Sequence, residues 1–187
     1  RLAEPGGVAL MPVTVRNVES ALKVEGLTPG KVSDINPKVD ADIIAWFKKV
    51  QRYDNYTVDR DDARRDIKGT LPRVLEKNDT RVQTRMVSLL AGQPGVKALD
   101  MPKATAGDPR PFEVVGIPLT PGFHVLEIAS QKLGGALLDE RYGDSRTMYV
   151  RTSVLATNLG VHFKLGRDNA MAWVTTLDSG AVVPGAQ

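Results

Sequence analysis

Two histidines are the residues of this sequence best suited to metal binding or proton transfer. His124 and His162 each lie at an alternation point of a predicted strand. A metal site would need a third ligand from elsewhere in the chain, and the sequence has neither an HxxH nor an HxH spacing. We therefore expect both side chains on the half-exposed face of a sheet rather than in a metal centre.

Serine, aspartate and glycine occur in patterns typical of turns rather than of catalytic or cation-binding loops. No GxSxG sequence marks a nucleophilic serine. Asp144 in GDSR, and Asp168 with Asn169 in GRDN, lack the spacing of a calcium loop. The Gly134-Gly135 pair is not followed by the Lys-Ser/Thr of a phosphate-binding loop. We nominate no catalytic, cofactor-binding or metal-binding residue, and we expect a protein that is not an enzyme and uses no cofactor.

The composition is typical of a folded globular chain. Of 187 residues, 42% are hydrophobic and 25% are charged, and Lys plus Arg number 25 against 22 Asp plus Glu. Basic and acidic residues are interleaved, as in DRDDARRD at 59–66, which indicates a solvated mixed-charge segment rather than a surface that follows phosphates. We therefore do not expect nucleic acid as a partner.

The absence of cysteine excludes disulfides, thiolate metal sites and a cysteine nucleophile from the chain. No apolar run approaches the ~20 residues of a membrane span. The first residue is Arg1, and no apolar signal segment follows it. We expect a processed chain or an excised piece of a longer one.

The first third of the chain predicts one strand and one helix. Alternating apolar residues predict a strand over 8–18, with Pro12 marking an edge or a bulge. Residues 27–37 are predicted to form a loop. Asn36, as a cap followed by proline, then opens a helix near 37–52. The apolar residues at helical spacing are Val39, Ile43, Trp46 or Phe47, and Val50, and we expect the aromatic pair to pack the helix on its own sheet.

The middle of the chain gives weaker signals. Residues 54–80 are polar and stay unassigned, and 71–81 fit either a helical turn or an edge strand. Alternation predicts a strand over 82–90. The proline-rich and glycine-rich stretch 92–111 predicts a long connection or short edge segments.

The last third predicts strands joined by turns. FEVVGIPL at 112–119 and GFHVLEIAS at 122–130 are strand sequences, and 133–146 is predicted to be a loop. Strand material then resumes over 147–165, with a break near 153–158. A turn at 166–169 follows, and then a final strand over 170–177.

Many short strands and one helix predict a mainly β protein, an antiparallel β-sandwich of the immunoglobulin or fibronectin type with a short helical insertion. In the final hairpin, Met171, Trp173 and Leu177 all lie at odd-numbered positions, so a strand would point them to the same side. We expect Trp173 to be mostly buried and to meet Phe163 or its neighbours.

Two stretches of this sequence resemble the bacterial α2-macroglobulin family. The segment YVRTSVLATNLGVHFKLGRDNAMAWVTTLDSGAVVPGAQ, 149–187, resembles the junction at which one macroglobulin-like domain ends and the next begins, and PLTPGFHVLEIAS, 118–130, resembles the penultimate strand of the preceding domain. The chain departs from the family's commonest form at Ala181-Val182-Val183, where Gly-Lys-Pro is more usual. This departure is expected to affect only a turn.

The resemblance implies a macroglobulin-like sandwich domain over 1–153 and the incomplete start of a second one over 154–187. It implies a scaffold role in a periplasmic protease trap, in which an attacking protease cuts a bait segment and the shell rearranges around it. Its implied partners are neighbouring domains of the same large chain, target proteases held by the full-length protein and, as a further candidate, a peptidoglycan-synthesising penicillin-binding protein. It also implies an inner-membrane lipoprotein anchor on the full-length protein. The thioester and lipobox cysteines of the family are not in this chain.

A second interpretation stays open from the sequence. Sandwich domains serve many unrelated roles, so an immunoglobulin-like structural module of a surface adhesin or assembly protein is the alternative. Sequence downstream of Gln187 discriminates the two, because a trap has further macroglobulin-like domains and a bait region, whereas an adhesin has tandem copies of one module.

Overall fold

The computed structural model describes residues 9–16, 31–99, 112–144 and 146–186. The strands are β1 Ala9–Arg16, β2 Lys31–Ile35, β3 Thr57–Asp59, β4 Arg81–Gln83, β5 Lys97–Leu99, β6 Phe112–Leu119, β7 Gly122–Ser130, β8 Met148–Ala156, β9 Leu159–Leu165 and β10 Ala170–Thr176. The helices are α1 Asp40–Tyr53, α2 Arg60–Asp66 and α3 Gln131–Leu137, with 3₁₀ turns at Thr84–Met86 and Glu140–Tyr142.

A four-stranded antiparallel sheet in the order β5-β2-β7-β8 forms the centre of the fold. Because side chains alternate between the faces of a strand, Leu126 packs on one side and Val125 on the other. The first side packs on Ile117 and Leu119 of the β1–β6 ribbon. The described chain is therefore mainly β, with antiparallel sheets packed in layers as in a β-sandwich, which confirms the predicted fold class.

The second side of the central sheet is covered by α1. Val50 is buried with Phe123 and Val125, and Trp46 packs against this cluster and against a second one built around Tyr53. The predicted packing of the aromatic pair is confirmed for Trp46, whereas Phe47 is exposed. Helix α1 thus joins the central sheet to the cluster around Tyr53.

The predicted helix cap at Asn36 is wrong. The helix begins at Asp40, and its cap position is Val39, which has no side-chain cap bond. The Asn36 amide instead donates to the Phe123 carbonyl at 2.7 Å and lies 3.1 Å from Nε2 of His124. A longer-range partner in β7 therefore outcompetes the local capping bond.

The segment left unassigned by the sequence forms β3 and α2. Asp59 caps α2 by accepting from the Asp61 amide, and i,i+3 ion pairs join Arg64 to Asp61 and Arg65 to Asp62. Two of its ion pairs thus lie within the helix, whereas Asp66 pairs with Arg52 of α1. Residues 71–80 form neither a helix nor a strand before β4 begins.

Two segments predicted as loops contain regular structure. The predicted loop 27–37 contains β2, and its residues 27–30 lie outside the described part. The predicted loop 133–146 contains α3, whose cap is the Ser130 hydroxyl accepting from the Leu133 amide. A Cβ at Gly134 would overlap the Arg146 carbonyl oxygen, so this glycine permits the close approach of α3 to that backbone. Within the predicted connection 92–111, β5 is described and 100–111 lie outside the described residues.

The predicted strand over 82–90 is mostly wrong, because only β4 forms there and a 3₁₀ turn follows it. Arg151 Nη2 of β8 donates to the carbonyls of Thr84 and Val87 at 2.8 and 2.6 Å, and the Leu89 amide donates to Glu127. Side chains, rather than a neighbouring strand, therefore bind these backbone groups. Val87 and Leu89 are nevertheless buried, which agrees with the alternating apolar pattern from which the strand was predicted.

The break predicted near 153–158 is narrower than expected. Strand β8 stays paired with β7 through Ala156, which is buried, and only Thr157 and Asn158 separate it from β9. The hairpin β9–β10 forms as predicted, around the turn at 166–169. The division into a domain over 1–153 and a second beginning at 154 stays a prediction.

Candidate interaction surface

The hairpin β9–β10 carries an apolar face. Opposite residues of an antiparallel pair point to the same side, and the register pairs Val161 with Val174 and Phe163 with Ala172. Leu165 pairs with Ala170 on the same side. We call this side the hairpin face; its members are Leu159, Val161, Phe163, Leu165, Ala170, Ala172, Val174 and Thr176.

The hairpin face is open to solvent in the described chain. Val161 is 68% exposed, Phe163 is 67% exposed and Leu165 is 75% exposed. Single exposed apolar residues are ordinary on protein surfaces, but a contiguous set marks a contact site. The hairpin face is therefore the strongest candidate for an interaction surface in the described residues.

The opposite side of the hairpin corrects the expectation for Trp173. Trp173 is 48% exposed rather than mostly buried, and the register places it opposite His162, with the ring centroids 5.4 Å apart. Phe163 lies on the other side of the hairpin, so the two do not meet. The alternation in the sequence places Met171, Trp173 and Leu177 on one side of the strand, but it does not show whether another element covers that side.

Residues after β10 continue its sheet. Thr175 forms an isolated bridge with Val182, and the Val183 amide donates to the Val174 carbonyl at 2.9 Å. The stretch 181–183, expected to be only a turn, therefore pairs along the second edge of β10. Strand β9 forms the other edge of this small sheet, and in the described chain that edge has no paired strand.

The hairpin is joined to the central sheet by little more than its chain connection. Asn158 anchors its base, accepting from the Leu177 amide through its backbone carbonyl and from the Asp178 amide through its side chain. Among the described residues, every hydrogen bond from 159–183 ends within 157–183. The hairpin therefore contributes little to the layered core.

His124 is a buried structural residue, which corrects the prediction of a half-exposed histidine. Its Nδ1 lies 2.9 Å from the Asp34 carboxylate, and its Nε2 lies 2.8 Å from the Thr120 carbonyl oxygen. Both ring nitrogens therefore face oxygen acceptors, and the ring is only 2% exposed. These bonds tie β7 to β2 and to the loop before it. His162 is exposed, as expected for a residue on a sheet surface.

A second buried polar cluster joins β7, β8 and the segment 84–90. Glu127 accepts from the Leu89 amide at 2.8 Å and from the Ser88 hydroxyl, and its carboxylate lies 3.3 Å from Arg151 Nε. Burial lowers the pKa of Arg151, and the Glu127 charge opposes that effect. The sequence analysis missed this pair. A signal was available, since Glu127 interrupts a mostly apolar stretch of a predicted strand.

The described residues include no group of three or more His, Cys, Asp or Glu side chains arranged to hold a metal ion. The turn residue Asp144 is exposed, and Asp168 and Asn169 lie in the exposed hairpin turn.

None of the described helices combines the length and the apolar character that a membrane crossing requires.

Comparison of the chain with protein-family models, with curated proteins and with solved structures finds no match.

Proposed function

We propose that this chain is a structural domain of a bacterial α2-macroglobulin-like protease trap, and that its hairpin begins the next sandwich domain. The observation that carries the proposal is the exposed hairpin face. A two-stranded hairpin is marginal in water. Apolar side chains exposed to the extent of Phe163 and Leu165 gain free energy when a second sheet covers them. In the proposed protein, that sheet comes from the same sandwich domain that the hairpin begins.

The place of the hairpin supports this assignment. The residues that resemble the junction between macroglobulin-like domains include all of β9, the turn at 166–169 and β10. Thr157 and Asn158 are the two residues that lie between the end of β8 in the central sheet and the beginning of β9 in the hairpin. A short connection of this kind suits two domains that are consecutive in the chain.

The buried clusters suit the mechanical role of a scaffold domain. The pair Arg151–Glu127 joins β8 to β7 and binds the backbone of the segment 84–90, and the pair His124–Asp34 joins β7 to β2. A domain locked in this way would move as one unit when a bait segment is cut and the shell rearranges. The proposal places the full-length protein in the periplasm with a lipoprotein anchor, where it would contact its neighbouring domains, target proteases and, as a further candidate, a penicillin-binding protein.

The alternative is an immunoglobulin-like module of a surface adhesin or assembly protein. The layered antiparallel sheets favour it as much as they favour the trap, because this architecture has many unrelated roles. In that case the hairpin face would be covered by the next copy of a repeated module.

An inhibition assay on the full-length protein separates the two functions. A trap leaves the captured protease active on a small chromogenic peptide and blocks its action on a large protein substrate, because the shell excludes only the large one. The 187-residue chain alone is expected to block neither and to hydrolyse no peptide. Full-length protein without this size discrimination would contradict the trap, and micromolar inhibition by the 187-residue chain would contradict the need for a shell.

Neighbouring residues of β9 provide matched variants for the same assay. Phe163→Asp places a charge on the hairpin face, whereas Lys164→Asp reverses a charge on the opposite side. We expect Phe163→Asp to reduce trapping at least tenfold and Lys164→Asp to leave it unchanged. Equal effects of the two changes would show that the hairpin face is not a packing surface.

A further inference from the structure

A small cavity lies between the two 3₁₀ turns and the beginning of β8. Its volume is about 230 Å³. The lining residues that matter for its chemistry are Arg73, Met86, Tyr142, Arg146, Thr147 and Tyr149. We call it the arginine–tyrosine cavity. Its lining among the described residues contains two cations and no Asp or Glu.

The guanidinium of Arg146 is held in place by neutral groups. Its Nε donates to the Leu138 carbonyl at 3.0 Å, and its two terminal nitrogens donate to Gly143 and Gly135 carbonyls, each at 2.8 Å. Carbonyl oxygens fix the orientation of the group without cancelling its charge. Among the described residues, no carboxylate lies within ion-pair distance of Arg146.

Arg73 adds a second guanidinium whose charge is not cancelled. Its Nη2 donates to the Arg141 carbonyl, and within the described chain it makes no ion pair. The described carboxylates around the cavity do not line it: Asp139 and Glu76 pair with Arg141, Glu127 pairs with Arg151, and the Asp79 carboxylate accepts from the Arg81 amide while its charge contributes to the raised pKa of Tyr142. Two positive charges therefore share one small concave space.

Three hydroxyl-bearing side chains complete the lining. Tyr142, Thr147 and Tyr149 make no side-chain hydrogen bond to another described residue. Burial is the main cause that raises the pKa of both Tyr142 and Tyr149, so both phenols stay protonated donors at neutral pH. The cavity thus combines fixed positive charge with unused neutral donors.

We propose that the arginine–tyrosine cavity binds a small oxyanion, a carboxylate or a phosphate group. Planar guanidinium groups suit oxyanions because they donate two parallel hydrogen bonds. The volume lies below the roughly 300 Å³ at which cavities for drug-sized ligands begin. The ligand is therefore a single acidic group, either a free anion or an acidic side chain of a partner surface.

An NMR titration of the 187-residue chain tests the proposal. Amide shifts of Thr147 and Tyr149 are followed at constant ionic strength while inorganic phosphate is added, and in a second series N-acetylglutamate. We expect saturation with a dissociation constant of about 1 mM or lower for at least one probe. The probe that binds more tightly shows whether the acidic group of the ligand is a phosphate or a carboxylate.

Two arginine variants of equal charge change supply the control. Arg73→Gln removes a cavity cation with a single hydrogen bond to the described residues, and Arg167→Gln removes an exposed cation in the hairpin turn. We expect the first to weaken binding at least fivefold and the second to leave it unchanged, with Tyr149→Phe weakening it severalfold. Shifts that do not saturate by ~20 mM, or equal weakening by the two arginine variants, would overturn the proposal.

Discussion

At the scale of single residues, the fold depends on buried charges that are fully paired. The side chains of Arg151 and Glu127 are 4% and 3% exposed, and each satisfies backbone groups as well as its partner. The Arg151 guanidinium also lies over the Tyr53 ring, 5.7 Å from its centroid. One arginine therefore joins β8, the 84–90 segment and the end of α1.

Replacing this arginine should be costly. Arg151→Met leaves the Glu127 carboxylate buried without its cation and leaves the Thr84 and Val87 carbonyls without their donor. We expect the free energy of unfolding to fall by about 3–5 kcal/mol, measured by urea denaturation followed by circular dichroism. Adding Glu127→Gln should restore part of the loss, because the unpaired charge is then removed.

An exposed ion pair provides the control for that measurement. Arg64 pairs with Asp61 on the surface of α2, with side chains 63% and 75% exposed. Arg64→Met should therefore cost less than about 1 kcal/mol. If Arg151→Met costs no more than Arg64→Met, the buried pair does not hold β7, β8 and the segment 84–90 together as inferred.

At the scale of elements, strand-forming sequences bounded by turn residues identified four strands closely. Strands β6, β7, β9 and β10 are predicted within a residue or two of their observed bounds. The misses have physical causes. Strand β2 was missed because Asp34, a buried polar residue paired with His124, interrupts its apolar pattern. Helix α3 was missed because the Gly134-Gly135 pair suggests a loop, whereas one of these glycines serves close packing.

The candidate site could be predicted only in part. The sequence predicts the hairpin and places Met171, Trp173 and Leu177 on one side of it, but the expected contact between Trp173 and Phe163 is wrong. Alternation also does not reveal whether another element covers a side. The arginine–tyrosine cavity combines residues from positions 73 to 149, and no local pattern links them. Contacts between elements are decided by packing, which a single sequence does not display.

Two phenylalanines in neighbouring sheets test whether the hairpin face is open. Phe163 is 67% exposed, whereas Phe123 is 9% exposed within the cluster under α1. We expect Phe163→Ala to change the free energy of unfolding by less than about 0.5 kcal/mol, and Phe123→Ala to lower it by about 3–5 kcal/mol. Urea denaturation of both variants gives the comparison. A large cost at Phe163 would mean that this face is packed in the 187-residue chain.

At the scale of the whole molecule, two parts of unequal stability follow from the contacts. The central sheet is packed on both sides, by the β1–β6 ribbon and by α1. The hairpin has exposed side chains on both sides and, among the described residues, no hydrogen bond to the layers. Local opening requires the least free energy where few buried contacts are lost, so the hairpin should open first.

Limited proteolysis with a nonspecific protease tests this order. Bonds within 157–183 should be cut before bonds within 112–156, because a protease needs a locally opened backbone and the hairpin offers it at low cost. A resistant fragment should therefore end near Ala156, where β8 ends, as mass spectrometry of the products would show. The full-length protein is the control, since a covered hairpin face should slow the same cuts. If bonds in 112–156 are cut first while the hairpin stays intact, one cooperative unit extends through β10, and the proposed domain boundary is wrong.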